Sequence, residues 1–107
     1  MKKGVLDLCV LSILSNEDCY GYQLVEIVSR VVEISEGTIY PLLKRLQKEK
    51  LLSSYIVESS EGPARKYYRL TDFGKTKFVS LKEDWTDFVG RVNSLMSEVN
   101  GSQIPHG

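Results

Sequence analysis

The residues best suited to do chemistry in this chain are cations and hydroxyls rather than catalytic groups. Between Ser35 and Leu52, Thr38, Lys44, Arg45 and Lys48 lie on or beside one helical face. Ile39, Leu42, Leu43 and Leu46 recur at i, i+3, i+4 and i+7 on the opposite face, the stripe of an amphipathic helix. A hydroxyl can bond a phosphate or a base edge, and a lysine adds a point charge that displaces counterions. The stretch therefore reads either as a helix laid into DNA or as the solvated basic face of a core helix. Ser35 is an N-cap candidate. Pro41 then falls about a turn and a half inside, where a proline opens a backbone hydrogen bond at about 3 kcal/mol. A distorted helix start is expected, with Gly37 and Pro41 allowing close approach to a large ligand.

Catalysis finds little support. The single histidine, His106, lies in the tail, and neither Cys9 nor Cys19 has a histidine partner or metal-ligand spacing. No glycine loop that could cradle a phosphate is present. The pairs Glu17-Asp18 and Glu83-Asp84 read as solvated carboxylates. Neither a cofactor nor a metal is expected, and the chain reads as a non-enzyme. Cys9, within an apolar run, reads as a buried thiol.

Charge is zero overall but unevenly placed. Residues 36–77 carry nine bases against five acids, whereas residues 1–35 and 78–107 are each net −2. A basic middle between acidic ends is the footprint of a localised polyanion site. At 107 residues the chain is one domain of modest core, for which burial in an oligomer is plausible. No apolar run approaches the roughly 18 residues of a membrane span. No signal peptide is visible, so a soluble, cytoplasmic protein is expected.

Several elements must position the basic middle. Val5 to Leu14 is apolar almost throughout, as in a helix buried on more than one side, with another subunit expected on the second. After a turn at Asn16-Glu17-Asp18, Tyr20 to Val32 forms a second helix with Leu24, Ile27, Val28 and Val31 as its core set. Gly21 near its start permits close backbone approach. With the Ser35 helix this makes a helix-turn-helix. Leu52–Glu58 and Arg65–Thr71 are rich in strand-forming residues, and Ser59-Ser60-Glu61-Gly62-Pro63 between them has turn chemistry. They form a hairpin wing with Arg65 and Lys66 just after its tip.

Thr71 or Asp72 caps a last helix to about Asn100. Phe78, Leu81, Trp85, Phe88, Val92, Leu95 and Val99 are spaced as a heptad seam. A helix of this length spans about 42 Å, more than one small core needs. It reads as a dimerisation helix, the alternative being a helix folded back on its own domain. The expected class is mainly α with a small β-hairpin (α+β). A winged helix-turn-helix occupies residues 1–71, a dimerisation helix residues 72–100 and a disordered tail residues 101–107.

Three runs carry a family resemblance: Tyr20-Gly21-Tyr22, Gly37-Thr38-Ile39-Tyr40-Pro41-Leu42-Leu43-Lys44-Arg45-Leu46, and Arg65-Lys66-Tyr67-Tyr68-Arg69-Leu70-Thr71-Asp72-Phe73-Gly74. Together they resemble the PadR family of bacterial transcriptional regulators, over roughly residues 4 to 99. A single C-terminal helix is similar to the small subfamily. The resemblance implies a homodimeric winged-helix repressor on a pseudo-palindromic DNA operator. Thr38, Tyr40, Pro41 and Lys44 would face the major groove, Arg65 and Lys66 would meet flanking phosphates, and Tyr22 a further phosphate. Arg45 would turn sideways into an ion pair, and Tyr67 and Tyr68 would serve packing. The resemblance also implies that Trp85 could stack on a planar aromatic effector at the dimer interface, although Lys82 adds a charge there. The competing reading is a winged-helix protein-interaction module that does not bind DNA, which the zero net charge would suit.

Overall fold

The computed structural model describes residues 4–100, with side chains as far as residue 98. The element order is α1 (Val5–Asn16), β1 (Cys19–Tyr20), α2 (Gly21–Val28), α3 (Glu36–Lys48), β2 (Leu52–Ser59), β3 (Gly62–Leu70) and α4 (Asp72–Asn100). The sheet is antiparallel in the order β1-β3-β2. The fold is α+β, a winged helix with a long C-terminal helix, as the sequence leads one to expect.

One core joins these elements. Val10, Leu11 and Leu14 of α1, Leu24 and Val28 of α2, and Ile39, Leu43 and Leu46 of α3 are buried together with Leu52, Tyr68 and Leu70 of the sheet. The three α3 residues come from the apolar stripe, so burying that stripe turns Thr38, Tyr40, Pro41, Lys44 and Lys48 outward. α3 runs unbroken through Pro41, so the expected distortion is no interruption of the helix. Ser35 is its N-cap without a side-chain bond. Its carbonyl accepts from the Thr38 and Ile39 amides, both at 3.1 Å.

The end of α3 is a Schellman turn. Lys50 is left-handed at φ 64°, its amide bonds the Gln47 carbonyl at 3.0 Å, and the Leu51 amide bonds the Leu46 carbonyl at 2.9 Å. Glycine is the usual residue at such a position, and a lysine there costs about 1–2 kcal/mol. Thr71 braces the turn by donating its Oγ1 hydroxyl to the Lys50 carbonyl at 2.6 Å. The same oxygen accepts from the Gly74 amide at 2.9 Å, which makes Thr71 the N-cap of α4. A methyl on Gly74 would collide with the Leu51 carbonyl oxygen, so α4 leaves the sheet in close contact with the α3–β2 turn.

Three boundaries differ from the sequence reading. α2 ends at Val28 instead of Val32, because the Arg30 and Val31 amides turn back to Ile27 and Val28 in three-residue steps. Val31 is therefore 73% exposed and is not a core residue. The hairpin strands run closer to the tip than expected, leaving only Ser60 and Glu61 between them. β1 was not foreseen: two residues are too short to show a period, and they are a strand only because β3 lies beside them. The tail residues 101–107, including His106, lie outside the described residues.

Candidate nucleic-acid interface

The exposed face of α3 meets the base of the wing in one cleft. Tyr20, Gly21, Tyr40, Arg65, Lys66 and Tyr68 line a space of about 370 Å³. They come from β1, the start of α2, the first half of α3 and β3. Gly21 is buried, and a methyl built on it would lie 2.7 Å from the Tyr40 hydroxyl and closer still to the ring. The missing side chain thus lets Tyr40 lean across the α2 N-terminus while remaining 43% exposed. The Tyr20 amide donates to Gln23 Oε1 at 3.1 Å, which closes the start of α2.

The wing cations are held over aromatic rings. The Arg65 guanidinium sits 4.6 Å from the Tyr20 ring centroid, and Lys66 Nζ is 5.6 Å from that of Tyr68. Such placements fix a cation without cancelling its charge. Tyr68 is buried, and burial first, then nearby Tyr40, pushes its phenol above the usual range. Tyr68 is thus a neutral wall of the cleft, in keeping with its expected packing role.

A second set of contacts anchors the wing from behind. Tyr67 meets the Tyr20 ring edge-on at 5.5 Å and stacks on Tyr55 at 5.8 Å. Tyr55 donates its hydroxyl to Asp18 Oδ2 at 2.6 Å, and Arg69 Nε lies 3.6 Å from the same oxygen. That hydrogen bond, more than burial, raises the Tyr55 phenol's pKa. Asp18, which the sequence reading left as a solvated carboxylate, and Tyr55 were both missed. Their partners lie 37 residues apart, and no local spacing signals the pairing.

The basic residues accordingly divide. Arg45 pairs with Asp7 of α1 at 2.6 Å and with Glu49 at 2.7 Å, the sideways ion pair the sequence suggested. Its hydrogen bond to Asp7 is the largest cause of a raised guanidinium pKa. Arg69 is paired with Asp18. Lys44, Lys48, Arg65 and Lys66 face no carboxylate among the described residues. Of the expected contact residues, Tyr40, Arg65 and Lys66 share the cleft. Thr38, Pro41 and Lys44 stand exposed along α3, and Tyr22 is half exposed near the start of α2.

This arrangement has counterparts among known proteins. A model of the PadR-like transcriptional regulator family matches residues 10–80. The chain belongs to that family. It is similar to a PadR-like transcriptional regulator of Bacillus cereus, with a TM-score of 0.80 and 45% identity over 88% of this chain and 93% of the other. A PadR-family regulator of Clostridium difficile aligns with a TM-score of 0.79 and 38% identity, over 87% and 99%. The Escherichia coli transcriptional regulator YqjI is 35% identical over 75 residues, 66% of this chain but only 34% of YqjI. PadR proteins are transcriptional regulators and not enzymes, so the chain is a DNA-binding regulator. No helix among the described residues is long and apolar enough to cross a membrane.

The other notable surface of this PadR chain is on α4. Phe78 and Leu81, the first two seam residues, pack against the protomer's own core. Beyond them Trp85 is 37% exposed, Val92 37% and Leu95 59%. Trp85 and Phe88 lie with ring centroids 6.0 Å apart. The side chain of Val99 lies outside the described ones. The first turns of the helix thus fold back on the domain, and the rest carries an exposed apolar stripe.

Proposed function

We propose that this PadR-family regulator is a homodimeric repressor of a pseudo-palindromic operator. The observation that carries the reading is the convergence of Tyr40, Arg65 and Lys66 on one cleft beside the exposed Thr38, Pro41 and Lys44. α3 enters the major groove, where these α3 side chains reach base edges and phosphates. Arg65 and Lys66 take the phosphates flanking that groove, and Tyr22 takes one more from the start of α2. Residues 1–71 act as the DNA-binding unit and residues 72–100 as the dimerisation arm.

Dimerisation runs through the seam of Phe78, Leu81, Trp85, Phe88, Val92, Leu95 and Val99; the exposed Trp85, Val92 and Leu95 support it, whereas Phe78 and Leu81 also pack on the protomer's own core. Two such protomers present their α3 helices about 34–36 Å apart, one turn of DNA. A planar aromatic effector stacking on Trp85 at the arm interface alters that spacing and lowers operator affinity.

Selection of genomic fragments by the purified protein, followed by a salt titration on the best fragment, tests the reading. An inverted repeat bound with a steep negative salt slope is the expected result. No enrichment from a folded, dimeric sample would reject it in favour of a protein-interaction module. The effector is tested through Trp85, the only tryptophan: planar aromatic compounds should quench its fluorescence and release the operator together.

A further inference from the structure

The wing has two physically different halves. Its base is anchored: Tyr67 stacks on Tyr55 and meets Tyr20 edge-on, Asp18 holds Tyr55 and Arg69, and Arg65 lies over Tyr20. The outer half has no such anchor. Val57 pairs with Arg65 and Ser59 with Gly62, with an irregularity in the ladder between Val57 and Ser59. Ile56 is 60% exposed and Val57 41%. Among the described residues the one side-chain hydrogen bond at the tip is local, the Glu61 amide donating to Ser59 Oγ at 3.2 Å.

Charge follows the same division. The two ionisable residues of the tip, Glu58 and Glu61, are acidic and exposed, and neither carboxylate has a cationic partner among the described residues. Arg65 stands three residues down β3 from Gly62, about 10 Å back along the strand. The cations therefore lie just behind the tip, with Arg65 opposite Val57, the neighbour of Glu58, and the two carboxylates stand tipward of them.

We propose that Glu58 and Glu61 hold the wing tip off the DNA backbone, so that the wing grips the duplex only through Arg65 and Lys66 just behind it. This rests on the DNA-binding reading above and specifies which part of the wing takes part. The mechanism is repulsion across water and salt between two carboxylates and the phosphates nearest the tip. It falls off over about 10 Å at 0.1 M salt. The carboxylates cost affinity for any duplex, because phosphates are present in every sequence. They set how tightly the regulator holds its operator without altering what it reads.

The test compares Glu58→Gln/Glu61→Gln with the unaltered protein and with Arg65→Ala, on operator and on random duplex of equal length. Both glutamates are exposed and in or beside a turn, so the double variant should keep its dimer and melting temperature. The expected result is binding tighter by about threefold to tenfold at low salt on both duplexes, fading as salt rises. Unchanged affinity would place the tip beyond reach of the DNA and overturn the proposal. Weakened binding confined to the operator would make a glutamate a base-reading acceptor and overturn it as well. Either failure, with Arg65→Ala still weakening a clear operator complex, leaves the DNA-binding reading intact. Absence of any duplex binding by the unaltered protein would instead reject that reading.

Discussion

The α3–wing surface and the outer part of α4 both expose large side chains, but they hold them in opposite ways. On the first, several large exposed groups are positioned by another: Tyr40 by the missing side chain of Gly21, Arg65 by Tyr20, Tyr55 by Asp18. On the second, Val92, Leu95 and Met96 stand on one helix beyond the point where Phe78 and Leu81 meet the core. A polar surface braced in advance suits a ligand of fixed shape, since little ordering remains to be done on binding. An apolar stripe without bracing lowers its free energy by being covered, and a second copy of the same helix is a suitable cover. On the proposed function, the contrast separates the surface that reads DNA from the one that joins two protomers.

The contrast breaks most easily on the α4 side. Leu95→Glu places a charge in the stripe without touching the core. It should convert the dimer to monomer in sedimentation and weaken operator binding by about a hundredfold through loss of the second half-site. A dimer that survives this change would mean that the stripe is not the interface. On the other surface, Gly21→Ala should displace Tyr40 and weaken the operator complex by about tenfold, equivalent to about 1.4 kcal/mol. The dimer should remain intact, and normal affinity would show that the position of Tyr40 does not matter. Lys44→Ala should cost about threefold to tenfold and lower the salt slope by about one. A slope that does not move would remove Lys44 from the phosphate contacts.

Two smaller changes sharpen the comparison. Lys50→Gly relieves the left-handed lysine and should raise stability by up to about 1 kcal/mol in denaturant unfolding, with operator affinity unchanged. Arg45→Ala removes two ion pairs that are half exposed on the arginine side, so the stability loss should be about 1 kcal/mol. Its salt slope on DNA should match that of the unaltered protein, in contrast to Lys44→Ala, because Arg45 already faces two carboxylates.

Much of this was legible from spacing. Ile39, Leu43 and Leu46 repeat with the period of a helix, so burying them left Thr38, Lys44 and Lys48 outside without any need of the fold. The seam from Phe78 to Leu95 was legible for the same reason. What spacing could not say is where along that seam the helix leaves its own domain, because Phe78 and Trp85 are equivalent heptad positions. Only the packing of α4 against α1 and β3 separates them.

The remaining differences have two physical origins, one local and one across the fold. Helix faces, caps and turn chemistry depend on neighbours within four or five residues, and those the sequence by itself determined: the amphipathic α3, the Ser35 start, the length of α4 and the basic middle. The early end of α2 arose in the turn after Val28, where two β-branched valines follow one another. Pairing across the fold decided the rest. Asp7 meets Arg45 from 38 residues away, Asp18 holds Tyr55 from 37, and Cys19–Tyr20 is a strand only because Tyr67 and Tyr68 lie beside it. Which cations stay free to meet a phosphate was therefore a tertiary decision, since a charge is cancelled by whatever carboxylate the fold brings within about 4 Å, however distant in the chain.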